Sequence, residues 1–240
     1  MNPMRAKGGF NIYGQSIGIL MLETLFPRIL GDIGNALTFD FPVRYKIVKR
    51  ASPKKVIVEG AKELLPLFIE GARELEAEGV GAITTSCGFL AIFQRELADA
   101  VSVPIFTSSL LQVPLVYRML KRDQKVGILT VFSEHLSREH LEAMGAGDIP
   151  VVIMGTEKGV EFTRALVGNE LYLDVDKARA DVVEAAKTLV SDHPEVGGIV
   201  LECTNMPPYS KTIQEAVGLP VFDIITLTKW VHRAVCQAGY

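Results

Sequence analysis

The chain repeats itself. The run VGAITTSC begins at Val80 and VGGIVLEC at Val196, and the cysteines that end them, Cys87 and Cys203, stand 116 residues apart. VPIF from Val103 and LPVF from Leu219 keep the same spacing of 116. Upstream, IGIL at Ile17 matches VGIL at Val126 at an offset of 109, and FPV at Phe41 matches IPV at Ile149 at 108. Each match is short. Their shared order, at slowly drifting offsets, means two copies of one unit: strand, connection, strand, helix, strand ending in Cys, helix, strand, helix.

The hydrophobic pattern fills in that unit. Short apolar runs predict strands at 16–22, 42–49, 80–85, 103–106, 125–131, 150–154, 197–202 and 220–222. Longer amphipathic stretches predict helices at 54–78, 89–100, 110–121, 134–144, 158–167, 174–191, 209–217 and 227–236. Pro66 predicts a kink or break inside the first of these, and Gly79 its stop. Alternation of strands and helices predicts an α/β fold with parallel sheets and crossover helices. The expected architecture is two pseudo-symmetric flavodoxin-like units, each a four-stranded parallel sheet flanked by helices, with the site in the cleft between them. Residues 1–118 form the first unit and 119–224 the second, with the last helix, about 225–240, packed on the first.

Composition narrows the function. A chain of 240 residues with net charge −3 and no basic block is a poor partner for nucleic acid or a membrane surface. The apolar run at 17–22 is too short for a signal peptide or a membrane span. Three cysteines, an odd number, argue against a disulfide framework and for a reducing cytoplasm. His135 and His140 are five apart, not the i, i+4 spacing of a helical metal pair, and no nucleotide loop or Ser-centred elbow is present. No metal and no cofactor is therefore expected.

In open parallel sheets, ligands bind beyond the carboxyl ends of the strands. Cys87 and Cys203 each end the third strand of a unit, and each precedes a helix-forming segment. The free N–H groups and dipole of a helix start favour an anion and are expected to lower a thiol pKa. A lone strand-end cysteine is ordinarily core filler. Filler has no reason to recur at an equivalent strand end while its neighbours diverge from TTS to VLE. Cys236 has no counterpart in the first unit and reads as packing or surface. Two opposed thiols suit inversion of a carbon centre: one face is deprotonated and the other reprotonated. Backbone N–H groups at the two helix starts would stabilise the enolate-like charge.

The motifs TTSCGF and ECTNMPPY in a duplicated α/β chain resemble the aspartate/glutamate/hydantoin racemase superfamily, over nearly all residues from Ser16 onward. Cys203-Thr204-Asn205 followed by Pro207 is similar to its Cys-Thr-x-x-Pro signature. The resemblance implies cofactor-independent racemisation or epimerisation, with Cys87 and Cys203 as paired acid–base groups and Thr204 and Asn205 holding the substrate carboxylate. Amino-acid racemases of the family commonly carry Cys-Asn-Thr at the first site. Here Cys87-Gly88-Phe89 keeps only backbone N–H groups there.

The connection 23–39 carries Pro27, Gly31 and Gly34 and a weak helical pattern, so it predicts an irregular loop over the cleft. In it Arg28 is a candidate to pair bidentately with a carboxylate and Asn35 to donate to it, against the plainer reading of a solvated loop. Glu23 either orients a cysteine or is exposed. Thr84, Thr85, Ser86, Thr107 and Ser108 sit at strand ends, with Thr85 and Thr107 preferred as substrate contacts. The leading expectation is a racemase or epimerase, an isomerase, of a small carboxylate such as an amino acid or hydantoin-like ring. The alternatives are a decarboxylase or cis–trans isomerase of the same superfamily, or a non-catalytic small-molecule binding protein. Expected partners are the small carboxylate and further copies of the chain in a homo-oligomer.

Overall fold

The structure is a computed structural model that describes residues 8–237. The first half runs β1 (Ile17–Leu22), β2 (Val43–Val48), α1 (Pro53–Ile57), α2 (Leu65–Ala77), β3 (Ala82–Thr85), α3 (Gln94–Ala100), β4 (Ile105–Phe106) and α4 (Val113–Met119). The second runs β5 (Lys125–Thr130), α5 (Arg138–Ala143), β6 (Val151–Gly155), α6 (Phe162–Val167), α7 (Val175–Asp192), β7 (Val196–Leu201), α8 (Ser210–Val217), β8 (Val221–Phe222) and α9 (Ile224–Val235). The strands form two four-stranded sheets of the same order, β2-β1-β3-β4 and β6-β5-β7-β8. Every neighbouring pair is parallel. Two pseudo-symmetric α/β units, as the repeat predicts, are therefore the architecture.

The repeat has a packing reason. The inner strands β1, β3 and β7 are buried throughout, as continuous apolar runs must be when helices cover both faces. Gly18 in β1 and Gly127 in β5 are equivalent positions. A Cβ at Gly18 would lie 3.0 Å from Leu75 Cδ1, and one at Gly127 would lie 2.8 Å from Leu189 Cδ2. The long helices α2 and α7 thus seat a leucine against the middle strand of their own sheets.

The two halves exchange their last helices. α4 lies against β5, and α9 lies against β3. One hydrophobic core runs through both units. A second, smaller core lies on the other face of the first sheet, where Ile17, Ile19 and Phe106 meet Ile224 and Leu227 of α9. Asp223 and Thr226 cap α9 reciprocally, each side chain accepting from the other's backbone N–H. Among the described residues no helix is long and apolar enough to cross a membrane.

Several predicted helices are shorter than expected. The 54–78 stretch breaks at 58–61, where Gly60 and Ala61 both take positive φ, 87° and 46°. Pro66 falls in the first turn of α2, where its missing N–H costs nothing, so it does not mark the break. The stretches 89–100, 110–121 and 134–144 open as 3-10 turns, at Gly88–Phe93, Ser109–Gln112 and Ser133–His135. Helix α6 starts only at Phe162, because the Asp181 carboxylate accepts from the N–H groups of Val160, Glu161 and Phe162 and fixes the chain before it.

The exchange makes a stability prediction. Leu227 is 4% exposed in the smaller core and Trp230, one turn on, is 64% exposed. Leu227→Ala is expected to cost about 2–4 kcal/mol, and Trp230→Ala within about 0.5 kcal/mol of nothing. Urea denaturation followed by circular dichroism checks both; equal losses would mean that α9 is not seated as described.

Candidate active site

The two cysteines reach one place by the same route. Past the end of β3 the Ser86 N–H donates to the Leu20 carbonyl at 2.9 Å. Past the end of β7 the Glu202 N–H donates to the Leu129 carbonyl at 2.8 Å. The next residue in each copy, Cys87 or Cys203, then leaves its sheet at the carboxyl edge. Both side chains are buried and both line one narrow cavity between the units. Its walls are largely apolar, with Leu22, Phe26, Phe89, Val131 and Leu166, and its polar lining includes Arg28, Glu202 and Asn205. The free space is about 20 Å³, room for about one water molecule.

Burial governs the thiols. The Cys87 thiol is pushed up to about 12, first by burial and then by the Glu202 charge. The Phe89 N–H, the Arg28 charge and the Leu90 N–H oppose that rise. Cys203 is raised well above the ordinary thiol value by burial and Glu202, with further repulsion from Cys87 and Asp32; the Asn205 N–H opposes it. The expected lowering by helix starts is therefore corrected. Gly88–Phe93 is a 3-10 turn, and the turn after Cys203 begins only at Pro207, so few aligned N–H groups face either sulfur. Desolvation of the thiolate outweighs them. The thiols are also unequal. Arg28 favours a Cys87 thiolate, whereas the Cys203 Sγ–H points at Asn205 Oδ1, 3.8 Å away.

Of the residues singled out in the sequence, Arg28, Ser86, Gly88, Thr204 and Asn205 line the cavity with the cysteines. Arg28 is held there: its Nη1 donates to Asp32 Oδ1 at 2.8 Å, its Nη2 to Thr24 Oγ1 at 3.2 Å, and its Cζ lies 4.7 Å from the Phe26 ring centre. Thr204 Oγ1 donates to the Ser86 carbonyl at 2.7 Å, tying one unit to the other. Three expected contacts are instead scaffold. Thr85 Oγ1 donates to the carbonyls of Cys87 and Thr107, and the Thr107 hydroxyl donates to Gln94 Oε1. Asn35 sits outside the cavity lining, capping the 36–38 turn through Oδ1 and donating from Nδ2 to the Arg28 carbonyl. Nearby backbone takes the side chains of Thr85 and Asn35, and the Gln94 amide takes that of Thr107. Glu23 is exposed and bonds Lys49 and the Arg50 N–H, and Cys236 is exposed.

Two carboxyls escaped the sequence reading. Asp32 accepts from Arg28 on one oxygen and from Asn205 Nδ2 on the other, at 2.6 Å, so the 23–39 loop is latched to the residue that faces Cys203. Glu202 is fully buried beside Cys203. Its Oε2 accepts from Thr130 Oγ1 at 2.7 Å, and its Oε1 has no partner among the described residues. Burial pushes this carboxyl up to about 8, against the Thr130 hydrogen bond. Gly88 is required by it: a Cβ there would fall 2.2 Å from Glu202 Oε1 and 2.3 Å from the Glu202 carbonyl oxygen. The room that a side chain at 88 would need is taken by Glu202.

Comparisons with known proteins agree with this layout. The model of the Asp/Glu/hydantoin racemase family matches residues 69–230. A dimethylsulfoniopropionate lyase of Durusdinium sp. clade D is 32% identical over 232 residues, covering 93% of this chain and 76% of its own. Dimethylsulfoniopropionate lyase 3 of Emiliania huxleyi is 31% identical over 88% of this chain, which spans only 57% of that relative. Among solved structures, a variant of arylmalonate decarboxylase superposes with TM-score 0.64 at 16% identity, covering 93% of this chain and 94% of that one. A glutamate racemase isoform of Bacillus anthracis gives 0.62 at 16% identity over 92% and 82%. The structural likenesses speak for the fold. The relatives by sequence are lyases, and that overturns the expectation of an isomerase that racemises or epimerises its substrate. Decarboxylation, cis–trans isomerisation and non-catalytic binding, the alternatives weighed with it, are not what the names of those relatives give either.

Buried thiols held above their ordinary pKa react slowly with alkylating agents, because only the thiolate attacks. Iodoacetamide at neutral pH is expected to label exposed Cys236 at least tenfold faster than Cys87 or Cys203, and labelling of the buried pair is expected to climb with pH. Peptide mass spectrometry over a time course checks this; rapid labelling of either buried cysteine at neutral pH would contradict the burial described.

Proposed function

The chain belongs to the Asp/Glu/hydantoin racemase family, and from that premise we propose that it is a lyase that eliminates a sulfide from a small sulfonium carboxylate of the dimethylsulfoniopropionate type. The similarity to the two lyases supports the substrate class. The observation that carries the reading within this chain is the inequality of the thiols: one has a cation and two N–H groups on its side, the other faces an amide oxygen. Racemisation asks two groups to exchange roles on opposite faces. Elimination asks for one base.

The chemistry follows from the lining. Arg28 retains N–H donors beyond those used on Asp32 and Thr24, and these would take the substrate carboxylate. The rings of Phe26 and Phe89 would face the sulfonium methyls, where an aromatic face attracts a desolvated cation. The Cys87 thiolate would remove a proton from the carbon next to the carboxylate. That electron pair forms the carbon–carbon double bond as the carbon–sulfur bond breaks, and the sulfur leaves as a neutral sulfide. The thiolate becomes a thiol and the product is an α,β-unsaturated carboxylate, so charge and atoms balance. Cys203, kept as a thiol, would donate toward the carboxylate as it gains enolate character. The substrate is larger than the present free space. Entry would require the cavity side of the irregular 23–39 loop to shift, breaking the Asp32 bonds to Arg28 and Asn205 while Ile33 and Phe39 keep the loop seated in the smaller core.

Incubation with dimethylsulfoniopropionate tests the reading. Dimethyl sulfide in the headspace and acrylate by proton NMR are expected in equal amounts, with no inversion of aspartate or glutamate. Absence of dimethyl sulfide above a buffer blank, with the protein folded by circular dichroism, would overturn it.

A further inference from the structure

Glu202 has no part in the elimination as written, yet it is the most confined ionisable group in the cavity. It is fully buried, Oε1 has no partner among the described residues, and Oε1 lies 2.2 Å from where a Cβ at Gly88, the residue after Cys87, would stand. Its counterpart in the other repeat, 116 residues earlier, is Ser86. Ser86 accepts from the Leu22 N–H at 2.9 Å and serves the backbone. The second copy therefore places a carboxyl in the cavity where the first has a structural hydroxyl, and Gly88 replaces the counterpart of Thr204 to make room. A purely structural position has no need of a carboxyl with one idle oxygen, since leaving it unpaired is costly.

We propose that Glu202 holds the negative charge of the resting site, takes the proton of Cys87 when the site is occupied, and later passes that proton to solvent. The step balances. Cys87–SH and Glu202–COO⁻ become Cys87–S⁻ and Glu202–COOH. The thiolate then takes the substrate proton and is again Cys87–SH. The remaining proton leaves from Glu202 to water, which is the one proton that elimination from a sulfonium carboxylate must release. Glu202 acts through the thiol and is a positioning residue in that sense.

Two facts place the resting charge on Glu202. Among Glu202, Cys87 and Cys203, the carboxyl is the strongest acid, at about 8 against about 12 for Cys87 and a Cys203 raised well above the ordinary thiol value, so the resting charge grows in as pH rises through about 8. Few other charges compete. The groups that face this cluster are Arg28 and Asp32, already paired from the 23–39 loop, and His140 of α5, which lies behind the Phe89 ring with its proton affinity lowered by burial. The nearest neutral partner is the Thr130 hydroxyl at the end of β5. A single mobile negative charge is what such an apolar cavity tolerates.

The proposal rests on the lyase reading for its proton balance, but its first test does not need turnover. In a Cys236→Ser background, thiolate formation is titrated by ultraviolet absorbance. Glu202→Gln removes the repelling charge and is expected to make thiolate form at least one pH unit lower, while lyase turnover falls at least tenfold with the melting temperature little changed. Thr130→Val removes the bond that favours the Glu202 carboxylate and is expected to move the rise of lyase turnover with pH to higher pH; it serves if Glu202→Gln does not fold. Glu202→Asp should restore part of the turnover. A thiol titration of Glu202→Gln that superimposes on the parent would overturn the proposal, as would full turnover in Glu202→Gln or an unmoved pH profile in Thr130→Val. A shifted titration in a protein that releases no dimethyl sulfide would leave the charge coupling standing and fail only the lyase reading.

Discussion

The site is organised by the enclosure of two thiols and a carboxyl in one apolar cavity. In low dielectric each ionised group raises the cost of ionising the next, so the three do not titrate independently. Cys87 and Cys203 are each raised by burial and by Glu202, and Cys203 also by Cys87. The surroundings decide where a charge can rest. Arg28 is already shared with Asp32, so it favours Cys87 without neutralising the cavity. The geometry that permits this crowding is Gly88, whose missing Cβ leaves the space that the carboxyl of Glu202 occupies.

Duplication supplies the frame and divergence supplies the chemistry. The frame is kept strictly: equivalent sheet orders, equivalent glycines under α2 and α7, and equivalent N–H bonds at Ser86 and Glu202. The lining is not. Ser86 against Glu202 and Gly88 against Thr204 give each cysteine a different neighbour on both sides. A symmetric pair of thiols suits inversion at carbon; an unequal pair suits removal of one proton with loss of a leaving group. The lyase reading thus needs no new fold, only these substitutions within a racemase-like frame.

Much of the frame was legible in the sequence because sheets and their order depend on the period and spacing of apolar residues. The eight strands, the repeat and the cavity position of both cysteines follow from that pattern. What escaped depends on contacts between distant residues. Asp32 and Asn205 are 173 positions apart, and nothing local marks their hydrogen bond. Glu202 read as one more strand-end residue, and Gly88 as a lost side chain, because only the packed structure shows that one makes room for the other. Thr85, Thr107 and Asn35 were chosen for their hydroxyls and amide at the right edge. Backbone groups a few ångströms away hold Thr85 and Asn35, and the side-chain amide of Gln94 holds Thr107. The thiol pKa direction failed for a related reason: a helix start is a local signal, whereas desolvation is a property of the whole cavity.

Comparison of Cys87→Ser with Cys203→Ser in the release of dimethyl sulfide tests the inequality of the thiols most directly. If Cys87 is the base, Cys87→Ser at saturating substrate should lose about 10²–10⁴-fold in turnover. Cys203→Ser, which keeps a hydrogen-bond donor facing Asn205, should retain at least tenfold more activity than Cys87→Ser. Equal losses in the two variants, or a greater loss in Cys203→Ser, would contradict the assignment and restore a symmetric two-thiol site.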